Sequence, residues 1–247
     1  MRTILLTIEY DGTVYCGWQK QPNGVAIQQV VEQALRQLLN HDITLLSSGR
    51  TDAGVHALAM PAAFTTNATI PLTAFVEGVN RFLPPDIAIH EAREVHSTFR
   101  PIKDAIAKHY RYTILQSAVR RPLDRHYCWH IRETLDVAAM QAAAVHFTGT
   151  HHFGSFRGSN SAAQTSERRI DSVKVSRNED KIQIDVQGGG FLKNMVRIMA
   201  GTLVDIGRGR FTPNHITTLL QHPDRSNAGV TAPAYGLCLI KVYYDLD

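Results

Sequence analysis

Strand-like and helix-like apolar spacings alternate along this chain, and that order restricts its fold more than any other feature. Thr3–Tyr10 and Ile43–Ser47 read as strands, and between them Ala26–Leu39 sets Ile27, Val30, Val31, Ala34, Leu35 and Leu38 at helical spacing. Met60–Thr65 then reads as a strand, Leu72–Phe82 as a helix stopped by Pro84 and Pro85, and Ile87–Val95 as a further strand. A second series starts at Lys108, where KHYRYTIL alternates in the strand manner, and continues with an alanine-rich helix over Leu135–Phe147. Strands over Ile170–Ser176 and Lys181–Gln187 are joined through RNEDK. The glycines of GGG lead into a helix predicted from Phe191 to about Ile206, followed by a shorter helix over Pro213–Gln221 and a closing strand over Leu237–Tyr244. The pattern predicts an α+β fold of two sheet-and-helix halves, residues 1–102 and 103–247, with an active-site cleft between them. The polar, small-residue stretch Arg157–Arg169 reads as a mobile loop.

Composition adds exclusions. The chain has 247 residues, 44% of them hydrophobic, enough to bury a large core. The first ten residues hold only a short apolar run before Glu9, which predicts neither a leader peptide nor a membrane span and hence a cytoplasmic protein. Cys16, Cys128 and Cys238 are widely spaced and odd in number, a poor match to a disulfide framework or a zinc site. The net charge is +4, and arginines gather in presumed loops: Arg120, Arg121 and Arg125; Arg157; Arg168 and Arg169; Arg208 and Arg210. Guanidinium forks match phosphate oxygens, so a polyanionic partner and a merely solvated basic surface both fit.

Four segments could carry chemistry. In LLSSGRTDAGVHALAM, Asp52 stands between Arg50 and Gly54, either as an aspartate that shapes a turn or as a nucleophile or base held by a charge partner. QGGGFLKNMVR offers glycines where a strand meets a helix, for phosphate approach or for close packing, but it lacks a P-loop ending and fits neither nucleotide fingerprint. On the predicted helix Lys193 and Arg197 share the polar side, as an exposed stripe or as a lining able to meet a phosphate or a carboxylate. Tyr110 and Tyr112 lie on one strand face, with His109 and Arg111 on the other, so each tyrosine is either a core residue or a stacking partner for a base. His146, His151 and His152 lack a third ligand at metal-site spacing.

EYDGTVYCGWQKQPN, SGRTDAGVHA, KHYRY, FGSFR, GGGFLKNMVRIMAGTL and APAYGLCL, in that order over nearly the whole chain, resemble the tRNA pseudouridine synthase A family. The resemblance implies isomerisation of uridine to pseudouridine at positions 38, 39 and 40 of the anticodon arm of tRNA. It also implies two α+β halves with a basic cleft, a homodimer, and neither metal nor organic cofactor. It makes Asp52 the catalytic aspartate, has Arg50 hold the place of the flipped-out nucleotide, puts Tyr110 on the target uracil and pairs Arg197 with Asp52. Two stretches depart from the family pattern: Ala163 precedes Gln164 where a Cys-Gln pair is common, and AMPAAF follows the aspartate loop where a glutamine and a histidine are usual. An RNA-binding module without chemistry, and a synthase acting on another RNA, are the alternatives to be tested.

Overall fold

A computed structural model of the chain describes residues 1–159, 161 and 163–245, so that Asn160 and Ala162, inside the stretch read as a mobile loop, and the last two residues lie outside the described ones. The fold is mixed α and β, and its contacts divide it into two compact units. One comprises Met1–Ile106 together with the chain from Leu239 onward; the other is Ala107–Cys238.

In the first unit, β1 (Arg2–Tyr10) is followed by α1 (Ile27–Leu39), the two-residue β2 (Leu46–Ser47), β3 (His56–Thr66) and β4 (Ile87–Val95). Strand β1 lies between β3 and β4, antiparallel to both. Its alternate residues Ile4, Leu6, Ile8 and Tyr10 are buried on one face, as period-two spacing requires. On its other face Leu5 joins Ala63 and Phe99 in a small cluster capped by Val95 and Tyr244. The Tyr244 ring meets Phe99 edge-on at 5.2 Å and its hydroxyl donates to Pro101 O at 2.8 Å. These contacts draw the closing strand, last in the second series by sequence order, into the first unit.

Helix α1 buries Ile27, Val31, Ala34 and Leu35 and stops at Asn40, whose φ of 57° is left-handed and whose N–H donates to Arg36 O. Its buried Glu32 accepts from Lys20 Nζ at 2.7 Å, Leu45 N at 2.9 Å and Gln28 Nε2 at 3.0 Å. A buried carboxylate is tolerated only with such partners, and here they fasten the residues that lead into the aspartate loop. The strand expected over Ile43–Ser47 is confined to Leu46–Ser47 because Leu45 N is taken by Glu32. The predicted Leu72–Phe82 helix is interrupted by a π-helical turn over Ala74–Gly78, which buries Phe75.

The second unit runs β5 (Ala105–Gln116), β6 (Trp129–Ile131), α2 (Val137–Ala144), β7 (Gly149–His152), β8 (Glu167–Asn178), β9 (Lys181–Gly188), α3 (Met195–Gly207) and α4 (His215–Gln221) before the closing strand β10 (Leu237–Tyr244). Its strands pair in the order β5, β9, β8, β7, all antiparallel, with β6 parallel to β5. Asp136 caps α2 by accepting from Ala139 N at 2.9 Å. In α3, twelve of thirteen residues are buried, the pattern of a helix enclosed on all sides.

Helix α3 starts at Met195 and not at Phe191. Asn194 takes a left-handed φ of 61°, which no α-helix interior accommodates, so Phe191–Asn194 stands outside the helix. The apolar spacing misled because Leu192 is buried for another reason, packing ahead of the first turn with its N–H toward Met195 Sδ at 3.5 Å. Two readings fall with the early start. The three glycines do not abut a helix N-terminus, and Lys193 and Arg197 do not form one helical stripe.

Burial, together with the nearby Asp124 charge, pushes the Cys128 thiol up to about 11. Cys16 and Cys238 are only partly covered. Iodoacetamide at pH 8 is therefore expected to modify Cys128 last in the native protein. Peptide mass spectrometry over time checks this, and Cys128 alkylated first would contradict the packing around β6.

Candidate active site

The aspartate of SGRTDAGVHA sits in the first unit, on the loop between β2 and β3. Pairing of Leu46 with Ala63 and Ser47 with Ala62 fixes where the loop leaves the sheet, and Ser48 N donates to Pro61 O at 3.1 Å. The turn itself is closed through main chain, Val55 N donating to Asp52 O at 3.1 Å. Asp52 is half-buried, whereas Arg50 is exposed.

The end of β1 and the segment after it, Asp11–Trp18, hold this loop along its length. The Tyr10 hydroxyl and Thr51 Oγ1 are 2.8 Å apart in a buried contact, Trp18 N donates to Thr51 O at 3.2 Å, and Gly54 N donates to Tyr15 O at 3.4 Å. His56 Nδ1, buried at the far end of the loop, lies 3.1 Å from both Gly12 N and Asp11 Oδ1. The two main chains touch closely enough to require glycine. A Cβ on Gly12 would fall 2.1 Å from Val55 O, and one on Gly17, whose φ is +102°, would fall 2.5 Å from Thr51 O. Asp86 anchors the holding segment in turn, its carboxylate accepting from the Tyr15 hydroxyl at 2.7 Å and its carbonyl from Asp11 N at 2.9 Å. Burial and that carboxylate raise the Tyr15 pKa, so the phenol stays a donor.

Tyr110 and Arg197 belong to the second unit. On β5, Tyr110 and Tyr112 share a face, but their surroundings differ. Tyr112 is fully buried, donates to Pro233 O at 2.9 Å and is kept protonated by burial, which makes it the core residue of the two. Tyr110 is half-buried, with the edge of one ring against the other in a T-shaped contact to Phe191 at 5.1 Å. Lys108, two residues earlier on the same face, is half-buried, and desolvation lowers its pKa. On the opposite face Asp185 Oδ1 binds His109 Nε2 at 2.6 Å and Arg111 Nε at 2.9 Å.

Arg197, in the first turn of α3, is half-buried, and among its bonds Nε donates to Ala232 O at 2.7 Å and one terminal nitrogen to Asn194 Oδ1 at 3.0 Å. This gives APAYGLCL a physical reading that periodicity does not supply. Ala232 orients Arg197, Pro233 accepts from Tyr112, and Gly236 lies flat on the Tyr112 ring, where a Cβ would be 2.6 Å from Cζ. The holding segment Asp11–Trp18 and Lys108 were equally absent from the candidates. Strand alternation would have found Lys108, since it shares the parity of Tyr110. Among the described residues no three His, Cys, Asp or Glu side chains gather as a metal site, and no helix is long and apolar enough to cross a membrane.

The family model described as tRNA pseudouridine synthase matches residues 6–126 and 143–245. A tRNA pseudouridine synthase A from Pelobacter propionicus is 63% identical over 244 residues, covering 99% of this chain and 100% of that protein. Those of Geotalea daltonii and Geobacter sulfurreducens are 55% and 53% identical over the same shares. With a model matched over most of its length and relatives this similar end to end, the chain belongs to the tRNA pseudouridine synthase family.

Proposed function

We propose that the protein isomerises uridine to pseudouridine at positions 38, 39 and 40 in the anticodon arm of tRNA, with Asp52 as the catalytic residue. The observation that carries this reading is the half-buried carboxylate on a loop gripped at Thr51, Gly54 and His56, in a chain of this family. Catalysis at a sugar carbon needs a group held in one place, and the bracing supplies it.

The reaction breaks the bond from uracil N1 to ribose C1′, turns the base and joins C5 to C1′, after which the C5 proton leaves and N1 takes up a proton. Atoms and charge balance without water or a redox partner. One carboxylate therefore suffices where a glycoside hydrolase needs a second to activate water. Asp52 acts either by attack on C1′, giving an ester to the sugar, or by removing the 2′ proton, giving a glycal. Tyr110, half-buried, is assigned to the target uracil and to help in removing the C5 proton. Arg50, exposed on the same loop as Asp52, is assigned to occupying the place of the extruded nucleotide. Arg197 is assigned to pairing with the Asp52 carboxylate, keeping it charged and oriented. A homodimer and a cytoplasmic address complete the reading, both resting on the family.

The test uses uridine-containing tRNA transcripts incubated with the purified protein, without added metal or cofactor, followed by pseudouridine-specific mapping. Pseudouridine at positions 38 to 40 is expected. Product at other positions would keep the chemistry and overturn the substrate assignment, and tRNA bound without any product would replace the enzyme with a binding module.

A further inference from the structure

The second unit carries cations that the reaction above does not use. FGSFR ends in Arg157, and its root is rigid: Phe147, Phe153 and Phe156 are fully buried and in mutual ring contact, and Ser155 Oγ donates to Leu219 O at 2.8 Å. From there Arg157 turns back on the following stretch, one terminal nitrogen donating to Ser161 O at 2.8 Å and to Ala163 O at 2.7 Å. Arg168 rises from the other end, at the start of β8. All its bonds go through a single nitrogen, NH1, to Thr165 O, Thr165 Oγ1 and Glu167 O. Among the described residues its Nε and second terminal nitrogen carry no bond, and neither arginine has a carboxylate partner.

Nε and NH2 are the two donors that form the side-on fork of a guanidinium, the arrangement that takes two oxygens of one phosphate. Gly190 lies beside the root of this guanidinium. A Cβ there would stand 3.8 Å from Arg168 Cδ and 3.9 Å from Nε, in ordinary contact, and glycine leaves that space open. Lys193 adds an exposed ammonium from the chain on which the Arg157–Gly158 backbone rests, since Gly158 N donates to Lys193 O at 2.9 Å. Burial, and then the charge of Arg157, lower the pKa of Arg168. Holding like charges together without an acid is unfavourable in the free protein and becomes favourable when a polyanion arrives.

We propose that Arg168, seconded by Arg157 and Lys193, is a phosphodiester-binding site that grips the RNA backbone. This rests on the reading of tRNA as substrate. Arg157 mainly sets the loop, so the test falls on Arg168 and on exposed Lys193.

Binding of unmodified tRNA transcript is measured against salt for the wild type, Arg168→Gln and Lys193→Gln, with pseudouridine formation followed in the same preparations. Each variant is expected to flatten the slope of log K against log salt by ~0.7 to 0.9, the value of one phosphate contact. Arg168→Gln is expected to weaken binding about tenfold at physiological salt, the scale of a charge-assisted bond. Wild-type slopes and affinities in both variants would overturn the proposal, and Lys193→Gln keeps that outcome readable because its side chain is on the surface. A wild type that binds tRNA but forms no pseudouridine would instead overturn the proposed function, a separate reading of the same experiment.

Discussion

Asp52→Asn is expected to lower pseudouridine formation by at least ~10⁴-fold, the scale on which enzymes lose turnover when the group that attacks or takes the proton is removed. The substitution keeps the shape of the side chain and every main-chain bond that closes the loop, because the turn is held by Val55 N on Asp52 O and by the contacts of Thr51 and Gly54. Folding and tRNA binding should therefore change little. The measurement is single-turnover product formation with enzyme in excess over tRNA, set beside a filter-binding isotherm for the same variant. Either chemical route demands the negative oxygen, so both predict the same loss. Turnover near wild type would show that the chemistry belongs to another residue, whatever the family.

Gly17→Ala is expected to cost ~100-fold in turnover without touching the carboxylate. At φ +102° an alanine is strained, and its Cβ would fall 2.5 Å from Thr51 O and 3.2 Å from both Ala53 N and the Asp52 carbonyl carbon. Backbone has to move, and what moves is the loop bearing Asp52. A displacement near 1 Å of a catalytic group is worth about two orders of magnitude in rate. Gly209→Ala is the comparison: its φ is +74°, but nothing lies within 4 Å of the added methyl. Both variants should melt lower, since both force a left-handed backbone on alanine, whereas only Gly17→Ala should lose rate. Equal activity in the two would mean that the contact between Gly17 and Thr51 does not position Asp52.

What could be read beforehand followed what each residue type advertises. Strand β1 and helix α1 announce themselves because their apolar residues repeat with one period and are buried on that period, and β4 matches its expected bounds, Ile87–Val95. Phe191 and Leu192 have the same apolar character as the helix after them, and nothing in their chemistry reveals that Asn194 turns left-handed. Asp52, Arg50, Tyr110 and Arg197 were nameable from motifs whose residue order is specific. Their support was not, because it is delivered by main chain: Trp18 N, Tyr15 O, Ala232 O and Pro233 O can belong to any residue, and only the fold aims them. The two tyrosines of KHYRY show the same limit, since identical spacing leads to a sealed Tyr112 and a half-open Tyr110.

The return of the closing strand to the first unit also has a meaning for how the protein is made. Because β10 pairs beside β3 and Tyr244 seals the Leu5–Phe99 cluster, the unit that carries Asp52 lacks a strand until the ribosome has passed through all of Ala107–Cys238. Until then the first unit presents an unpaired strand edge, the kind that invites association with other chains. The aspartate loop leaves the sheet through β2, whose residues pair with Ala62 and Ala63 of that same β3. The strand on which the loop is built is thus the one left waiting for β10.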